Sequence, residues 1–168
     1  MNNSVVRWTT PEGVKYEVRG NVNRLEVNFK KLSPDAVTPS YATEGDAGLD
    51  LVSVSMTKDD NSNYIEYGTG IAVEIPKGYV GFLYPRSSVS KKENFYLKNS
   101  VGVIDSSYRG EIKLRFNKSD DSYHIGEKIG QLIILPYPTI TLNEVSTLSN
   151  SERGIGGFGS TDVSSTKQ

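Results

Sequence analysis

The sequence predicts an all-β domain, a sandwich or a barrel, on three observations. Short runs rich in Val, Ile, Leu, Tyr and Phe recur at residues 25–29, 49–55, 69–75, 79–84, 101–105, 111–117 and 131–135. Gly, Pro, Asn and Asp punctuate the gaps between them, as they do between short strands. Only residues 87–97 lack both Gly and Pro without reading as a strand, so they are the single helix candidate.

Taken in order, residues 1–24 hold two β-like pieces, Val5-Val6-Arg7-Trp8 and Val14-Lys15-Tyr16-Glu17-Val18, around Thr10-Pro11-Glu12-Gly13. They predict a hairpin appended to the domain, with no evident chemistry. Residues 25–148 form the predicted domain, and the polar stretch 58–63 reads as a hairpin tip. In the helix candidate, Ser87 or Ser88 would cap the start, while Ser90-Lys91-Lys92-Glu93 offers a competing capping box. Residues 149–168 are polar and glycine-rich, with no packable face beyond Ile155 and Phe158, and read as a flexible arm.

Composition bounds the function. At 168 residues the chain suits one domain with a real core. A formal net charge of -1 supplies no global basic field for nucleic acid. No apolar run approaches the ~20 residues that span a bilayer. The absence of Cys excludes a disulfide framework or a thiolate metal site and fits a reducing, intracellular compartment. With His124 the only histidine, a His-dependent triad or multi-His metal site is disfavoured, and His124 itself reads as structural. A metal here would be hard and oxygen-liganded, with Mg²⁺ the first expectation.

The chain is organised around residues 99–111, N-S-V-G-V-I-D-S-S-Y-R-G-E. Val101, Val103 and Ile104 lead into a polar Asp105-Ser106-Ser107 turn, and an alternating run leads out, which is the pattern of a β-hairpin. Gly102 and Gly110 would let a flat ligand approach the backbone, whose N–H and C=O groups could read a base edge. Asp105 is placed to act as a general base and Tyr108 to form a flat floor. An ordinary surface hairpin with an Asp turn has the same composition.

Four further pieces bear on chemistry. Pro85-Arg86-Ser87-Ser88 joins a strand to the helix candidate, where free amides and a forked cation would suit phosphate. Ala47-Gly48-Leu49-Asp50-Leu51 starts a strand with one inward carboxylate. Gly126-Glu127-Lys128-Ile129-Gly130-Gln131 turns into an apolar run. Gly154-Ile155-Gly156-Gly157-Phe158-Gly159 matches the dinucleotide fingerprint literally, but no strand–helix unit surrounds it and the chain ends before the required acidic residue. What remains is an arm with Arg153, Phe158, Ser160 and Thr161 that would close over a nucleotide.

In order and spacing, these five pieces resemble the motif set of the trimeric dUTP pyrophosphatases (dUTPases), over residues 30–161. The resemblance implies a jelly-roll-like β-barrel of the dUTPase-like, or β-clip, type that assembles as a homotrimer with shared active sites. It implies hydrolysis of dUTP to dUMP and pyrophosphate, with Mg²⁺ bridging the triphosphate oxygens and no direct protein ligand. Asp105 would activate the water that attacks the α-phosphorus. Tyr108 would pack under the deoxyribose, and Asn99 with the Val103–Ile104 backbone would read uracil. Arg86, Ser87, Ser88 and Gln131 match phosphate contacts, and Lys113 falls among the substrate-binding positions. Arg153, Phe158, Gly159 and Ser160 match the capping arm, and Asp50 a carboxylate that supports the site through water or metal hydration. Neither nucleic acid nor membrane is expected as a partner, no protein partner is implied, and the location expected is cytoplasmic, or intracellular if the source is viral.

The chain departs from the family pattern at Ser88, at Gly45-Asp46 and at Asp162. Three rivals accompany the reading, the plainest a structural jelly-roll module without activity. A dCTP deaminase of the same fold needs a catalytic glutamate where this chain has Arg115. A regulatory dUTPase-like protein would bind nucleotide to control a protein partner, for which the N-terminal extension is the only candidate surface.

Overall fold

Each predicted run becomes a strand or part of one in a computed structural model, which describes the backbone of residues 4–9 and 15–20 and all of residues 25–58 and 61–157. The chain forms two compact units, residues 1–138 and 139–168. In the first, β1 (Ser4–Thr9) and β2 (Lys15–Gly20) pair antiparallel as a hairpin. Then follow β3 (Asn28–Lys31), β4 (Leu49–Val52), β5 (Ser55–Lys58), β6 (Tyr64–Gly68), β7 (Ile71–Glu74), β8 (Tyr79–Tyr84), β9 (Gly102–Ile104), β10 (Lys113–Asn117) and β11 (Lys128–Pro136).

Every pairing is antiparallel. Besides the N-terminal hairpin, the described residues form three sheets, ordered β10-β6-β5, β4-β11-β8-β9 and β3-β7. This is a jelly-roll-like all-β fold, although its sheets do not join into one continuously bonded barrel. β5 and β6 form the hairpin whose tip the polar stretch predicts.

Alternation explains which faces close. In β10, Leu114 and Phe116 are buried while Lys113 and Arg115 face outward. Phe116 belongs to an aromatic core with Tyr67, Phe95 and Tyr123: its ring stacks on Phe95 at 4.6 Å and meets Tyr67 and Tyr123 edge-on. The buried Tyr67 hydroxyl donates to the Tyr123 carbonyl at 2.9 Å, so the core hides no unpaired phenol.

Two expectations fail. The helix candidate is a 3-10 turn of five residues, Ser87–Lys91, entered through Arg86 with no side-chain cap. The capping box does not form, because Ser90 Oγ donates back to the Ser87 carbonyl at 2.7 Å. Phe95 and Leu97 explain the early stop. Both are buried at a spacing of two, which an extended chain satisfies and a helix does not. Asn94 breaks the turn in the left-handed region at φ 50°.

The second failure concerns residues 99–111, whose arms do not pair as a simple hairpin. β9 pairs with β8 and β10 with β6, so the arms diverge into different sheets. The chain before β9 instead lies along β10, through an isolated Leu97↔Phe116 bridge and a Lys98 N–H donating to the Arg115 carbonyl at 2.8 Å. The divergence leaves an opening between the arms.

Candidate active site

The opening between β9 and β10 is a cleft of about 480 Å³. Four sequence-predicted residues line it: Asn99, Ile104, Tyr108 and Lys113. Leu83, Leu97 and Leu114 supply apolar walls, and Glu66, Lys98, Glu111 and Arg115 a polar rim that sequence reasoning left unassigned. Arg115 C=O and Asn117 N–H bond the incoming segment along the outer edge of β10. With a period of two, the N–H and C=O of Lys113 continue that edge where the pairing stops. Backbone groups at such an edge can meet the edge of a flat base.

Tyr108 folds over its own turn. Its hydroxyl donates to the Glu111 carbonyl at 2.9 Å, and a Cβ on Gly110 would run into that hydroxyl. The bare face of Gly110 is therefore filled by Tyr108 rather than held open for a ligand, which corrects the expectation for that glycine. Gly102 also lines the cleft, with Leu83 against the position a Cβ would take. Val103 is exposed on the opposite face of β9 from Ile104, and its side chain does not line the cleft. Asp105 is exposed directly after β9, and its carbonyl accepts the Tyr108 N–H at 3.0 Å to close the turn.

On the rim, Glu66 of β6 faces Arg115 of β10 in register. Its carboxylate accepts Lys113 Nζ at 2.8 Å and Arg115 Nε at 2.7 Å. The Lys113 hydrogen bond, opposed by partial burial and helped by Arg115, holds the Glu66 carboxyl below its ordinary 4.5. The same bond raises Lys113, and Arg115 rises through its own bond to Glu66.

A second constellation forms at the other end of β8. Asp50 of β4 is 4 % exposed and pairs in register with Gln131 of β11, which in turn pairs with Tyr84 of β8. Arg86 lies two residues beyond, so three separate sequence motifs meet at one carboxylate. Arg86 Nε is 3.3 Å and Gln131 Nε2 3.4 Å from Asp50 Oδ1. Lys128 Nζ lies 2.7 Å from Oδ2, an ion-pair contact without hydrogen-bond alignment, so Oδ2 has no aligned donor. Sequence reasoning missed Lys128. The available signal was the inward aspartate, since a buried carboxylate calls for cationic partners.

Ser87 is exposed in the 3-10 turn, and Ser88 Oγ sits 3.5 Å from the Tyr123 hydroxyl, so the extra side chain at Ser88 is accommodated. A turn this short offers no helix dipole, which leaves Arg86 as the cation of this segment. Asp46 closes the loop before β4, accepting Thr43 N–H at 2.8 Å and Thr43 Oγ1 at 2.7 Å. The Thr43 hydroxyl holds its carboxyl below the usual range.

Asp105 and Arg86 stand at opposite ends of β8 within one chain. Asp105 follows Ile104, which is opposite Gly81, while Arg86 comes two residues after β8 ends at Tyr84, so the chain from Gly81 to Arg86 spans about 17 Å at the rise of a strand. That is wider than an arginine side chain reaches. In the second unit, described by itself, Arg153 Nε donates to the Gly156 carbonyl at 2.9 Å across a short turn. Phe158, Gly159, Ser160 and Asp162 lie outside the described residues.

The dUTPase family model matches residues 35–162. The chain belongs to the dUTPase family. A deoxyuridine 5'-triphosphate nucleotidohydrolase of Hydrogenobaculum sp. is 43 % identical over 143 residues, covering 83 % of this chain and 99 % of the relative. One from Corynebacterium diphtheriae is 40 % identical over 141 residues, covering 82 % and 93 %. Among solved structures, a mutant of the Staphylococcus bacteriophage 80alpha dUTPase with dUpNHpp superposes with a TM-score of 0.71 at 30 % identity, covering 81 % of this chain and 98 % of that one. In this dUTPase, Asn99, Ile104, Tyr108 and Lys113 line the cleft, and Arg86 and Gln131 meet at Asp50.

Proposed function

We propose that this dUTPase hydrolyses dUTP to dUMP and pyrophosphate at sites shared between the copies of a homotrimer. The observation that carries the reading is the separation of Asp105, beyond one end of the β8–β9 pairing, from Arg86, beyond the other end of β8. A nucleotide with its base in one chain's cleft meets the phosphate-binding cations of a neighbouring chain. Both halves are present in every copy, so a closed ring would make every site complete.

In this reading uracil enters between β9 and β10, where Asn99 and the backbone about Val103, Ile104 and Lys113 meet its edge. Cytosine presents the opposite donor and acceptor pattern and would leave cleft groups unpaired, which makes the exclusion sharp. Tyr108 packs under the sugar. Asp105, exposed at the turn, takes a proton from a water molecule as its oxygen bonds to the α-phosphorus. The bond from that phosphorus to the bridging oxygen breaks, and its electron pair leaves with pyrophosphate. Arg86, Ser87, Ser88 and Gln131 of the neighbour hold the phosphates. Arg153, Phe158, Gly159 and Ser160 cap base and phosphates.

The donor chemistry fits a Mg²⁺ carried by the nucleotide rather than caged by protein. Among the described residues no three acidic or His side chains cluster to bind a metal, and Asp50 Oδ2 lacks an aligned donor and would accept from a water of the ion's hydration shell. When bound, the ion neutralises phosphate charge and fixes the chain for in-line attack. No described helix is long and apolar enough to cross a membrane, and a chain without Cys suits an enzyme working inside the cell.

The deaminase alternative is weaker. Its catalytic glutamate would stand where this chain has Arg115, and the Glu66 carboxylate facing Arg115 is bound by it and by Lys113. The test is incubation with dUTP, dCTP or dTTP and Mg²⁺. Pyrophosphate release from dUTP alone is expected, whereas ammonia from dCTP would overturn the assignment.

A further inference from the structure

The turn that carries Asp105 and Tyr108 is short, exposed and free of strand pairing, yet three hydrogen bonds from Arg109 bind it. Arg109 NH1 donates to the Ser106 carbonyl at 2.7 Å and to the Tyr108 carbonyl at 2.9 Å, which ties the two sides of the turn together. Its other nitrogen, NH2, donates to Glu74 Oε1 at 3.1 Å at the end of β7. Glu74 Oε2 accepts Asn28 Nδ2 at 3.0 Å from the facing position of β3. Asn28, Glu74 and Arg109 thus form a continuous path from the β3–β7 sheet to the turn. A second anchor lies alongside, where Glu111 Oε1 accepts the Gly70 N–H at 2.8 Å in the bend before β7.

We infer that Arg109 and Glu74 are positioning residues, a clamp that fixes the turn so that Asp105 addresses the water and phosphorus. Neither touches the cleft, and their effect on turnover runs through the backbone of Ser106 and Tyr108. Only a guanidinium suits the role, because its fork reaches two carbonyls with one nitrogen and a carboxylate with another. The ammonium of a lysine concentrates its donors at one point. Displacements of about 1 Å at a reacting group cost up to ~10² in rate, so loosening this turn by less is expected to cost about tenfold.

The inference rests on the dUTP-hydrolysing reading, and its test separates the two. Wild type, Arg109→Gln, Arg109→Lys, Glu74→Ala and the Arg109→Gln/Glu74→Ala double variant are compared as full chains with dUTP. Arg109→Gln is expected to lower kcat about tenfold, with the Kd for a non-hydrolysable dUTP analogue within about twofold and an unchanged oligomer. Arg109→Lys recovers part of the loss. Glu74→Ala lowers kcat less, and adds nothing in the Arg109→Gln background, as residues acting through one device do. Amide exchange over residues 105–110, which needs no turnover, is expected to quicken at least about fivefold in Arg109→Gln and in Glu74→Ala. If exchange and kcat stay within twofold of wild type in Arg109→Gln, or the two substitutions act additively, the clamp is wrong. A wild-type enzyme that leaves dUTP intact while the exchange differences persist overturns the hydrolytic reading and leaves the clamp as a fact of the fold.

Discussion

Lys128 and Asp50 meet across the β11–β4 edge, the ammonium 2.7 Å from a carboxylate oxygen that is almost wholly buried. Arg86 holds the other oxygen at 3.3 Å. One carboxylate therefore orients two cations, both partly open to solvent, toward the same face. Removing one partner of a fully buried pair costs about 3–5 kcal/mol, but hydration of the two cations reduces this. Asp50→Asn is expected to cost about 1–2 kcal/mol, read as a lower Tm, and to raise KM for dUTP as Arg86 loses its anchor. An unchanged KM would separate Arg86 from phosphate binding.

Among the described residues Asp105 lies in no ion pair, and its turn is closed by backbone, the Asp105 carbonyl accepting the Tyr108 N–H. Substitution should leave the fold alone and remove the proton acceptor. Asp105→Asn is expected to bind a non-hydrolysable dUTP analogue normally and to lose at least ~10²-fold in kcat. Turnover within a few-fold of wild type would take Asp105 out of the mechanism.

The strands were legible because their cues are local: apolar alternation and turn residues mark 79–84, 111–117 and 131–135 whatever surrounds them. The partners of those strands were not. That β9 joins β8 while β10 joins β6 is a non-local choice, made by burying Leu114 and Phe116 on a different sheet from Ile104. The helix expected over 87–97 failed for a related reason, since burial of Phe95 and Leu97 overrode a weak capping signal. At the site, Asp50 and Gln131 announced themselves through motif spacing, whereas Lys128 and Glu66 gain meaning only from cross-strand register.

Glu66 ties the cleft rim to pH. Its folded-state pKa lies below 4.5 because the Lys113 and Arg115 bonds outweigh partial burial. A depressed carboxyl stabilises the fold fully above its unfolded value and loses that contribution as pH falls through the folded value. Lys113 is raised above 10.5, so its share is complete below that and lost only in strong alkali. The pair is thus intact from about pH 5 to pH 10, and the loss belongs to the acid side. Glu66→Gln is expected to lower Tm modestly near neutrality and to flatten part of the decline below pH 4.5. An identical acid limb in both proteins would mean Glu66 titrates as an ordinary carboxylate.

The fifth motif sits in the second unit, where the apolar side chains Leu142, Leu148 and Ile155 are exposed. The core of the first unit is built within residues 27–134, so removing residues 150–168 should leave the assembly and its Tm unchanged. Hydrolysis should nevertheless be suppressed, because Arg153 and the residues after it no longer close over the nucleotide. Light scattering and dUTP turnover on the truncated chain provide the check, and full activity would dismiss the arm.

The separation along β8 has a consequence that a mixture can expose. Asp105→Asn leaves a chain with intact phosphate-binding cations, and Arg86→Gln leaves one with an intact ribbon. Each alone should be nearly inactive. If Asp105 and Arg86 of one site come from different chains, equal mixing with subunit exchange rebuilds some sites from the two sound halves. A site is whole when one contributor is the Arg86→Gln chain and its neighbour the Asp105→Asn chain, one-half times one-half, or about a quarter of all sites in randomly assembled rings. Activity should therefore climb to about a quarter of the wild-type value after co-refolding. A site contained in a single chain predicts no recovery, because every copy would then lack either its base or its cation.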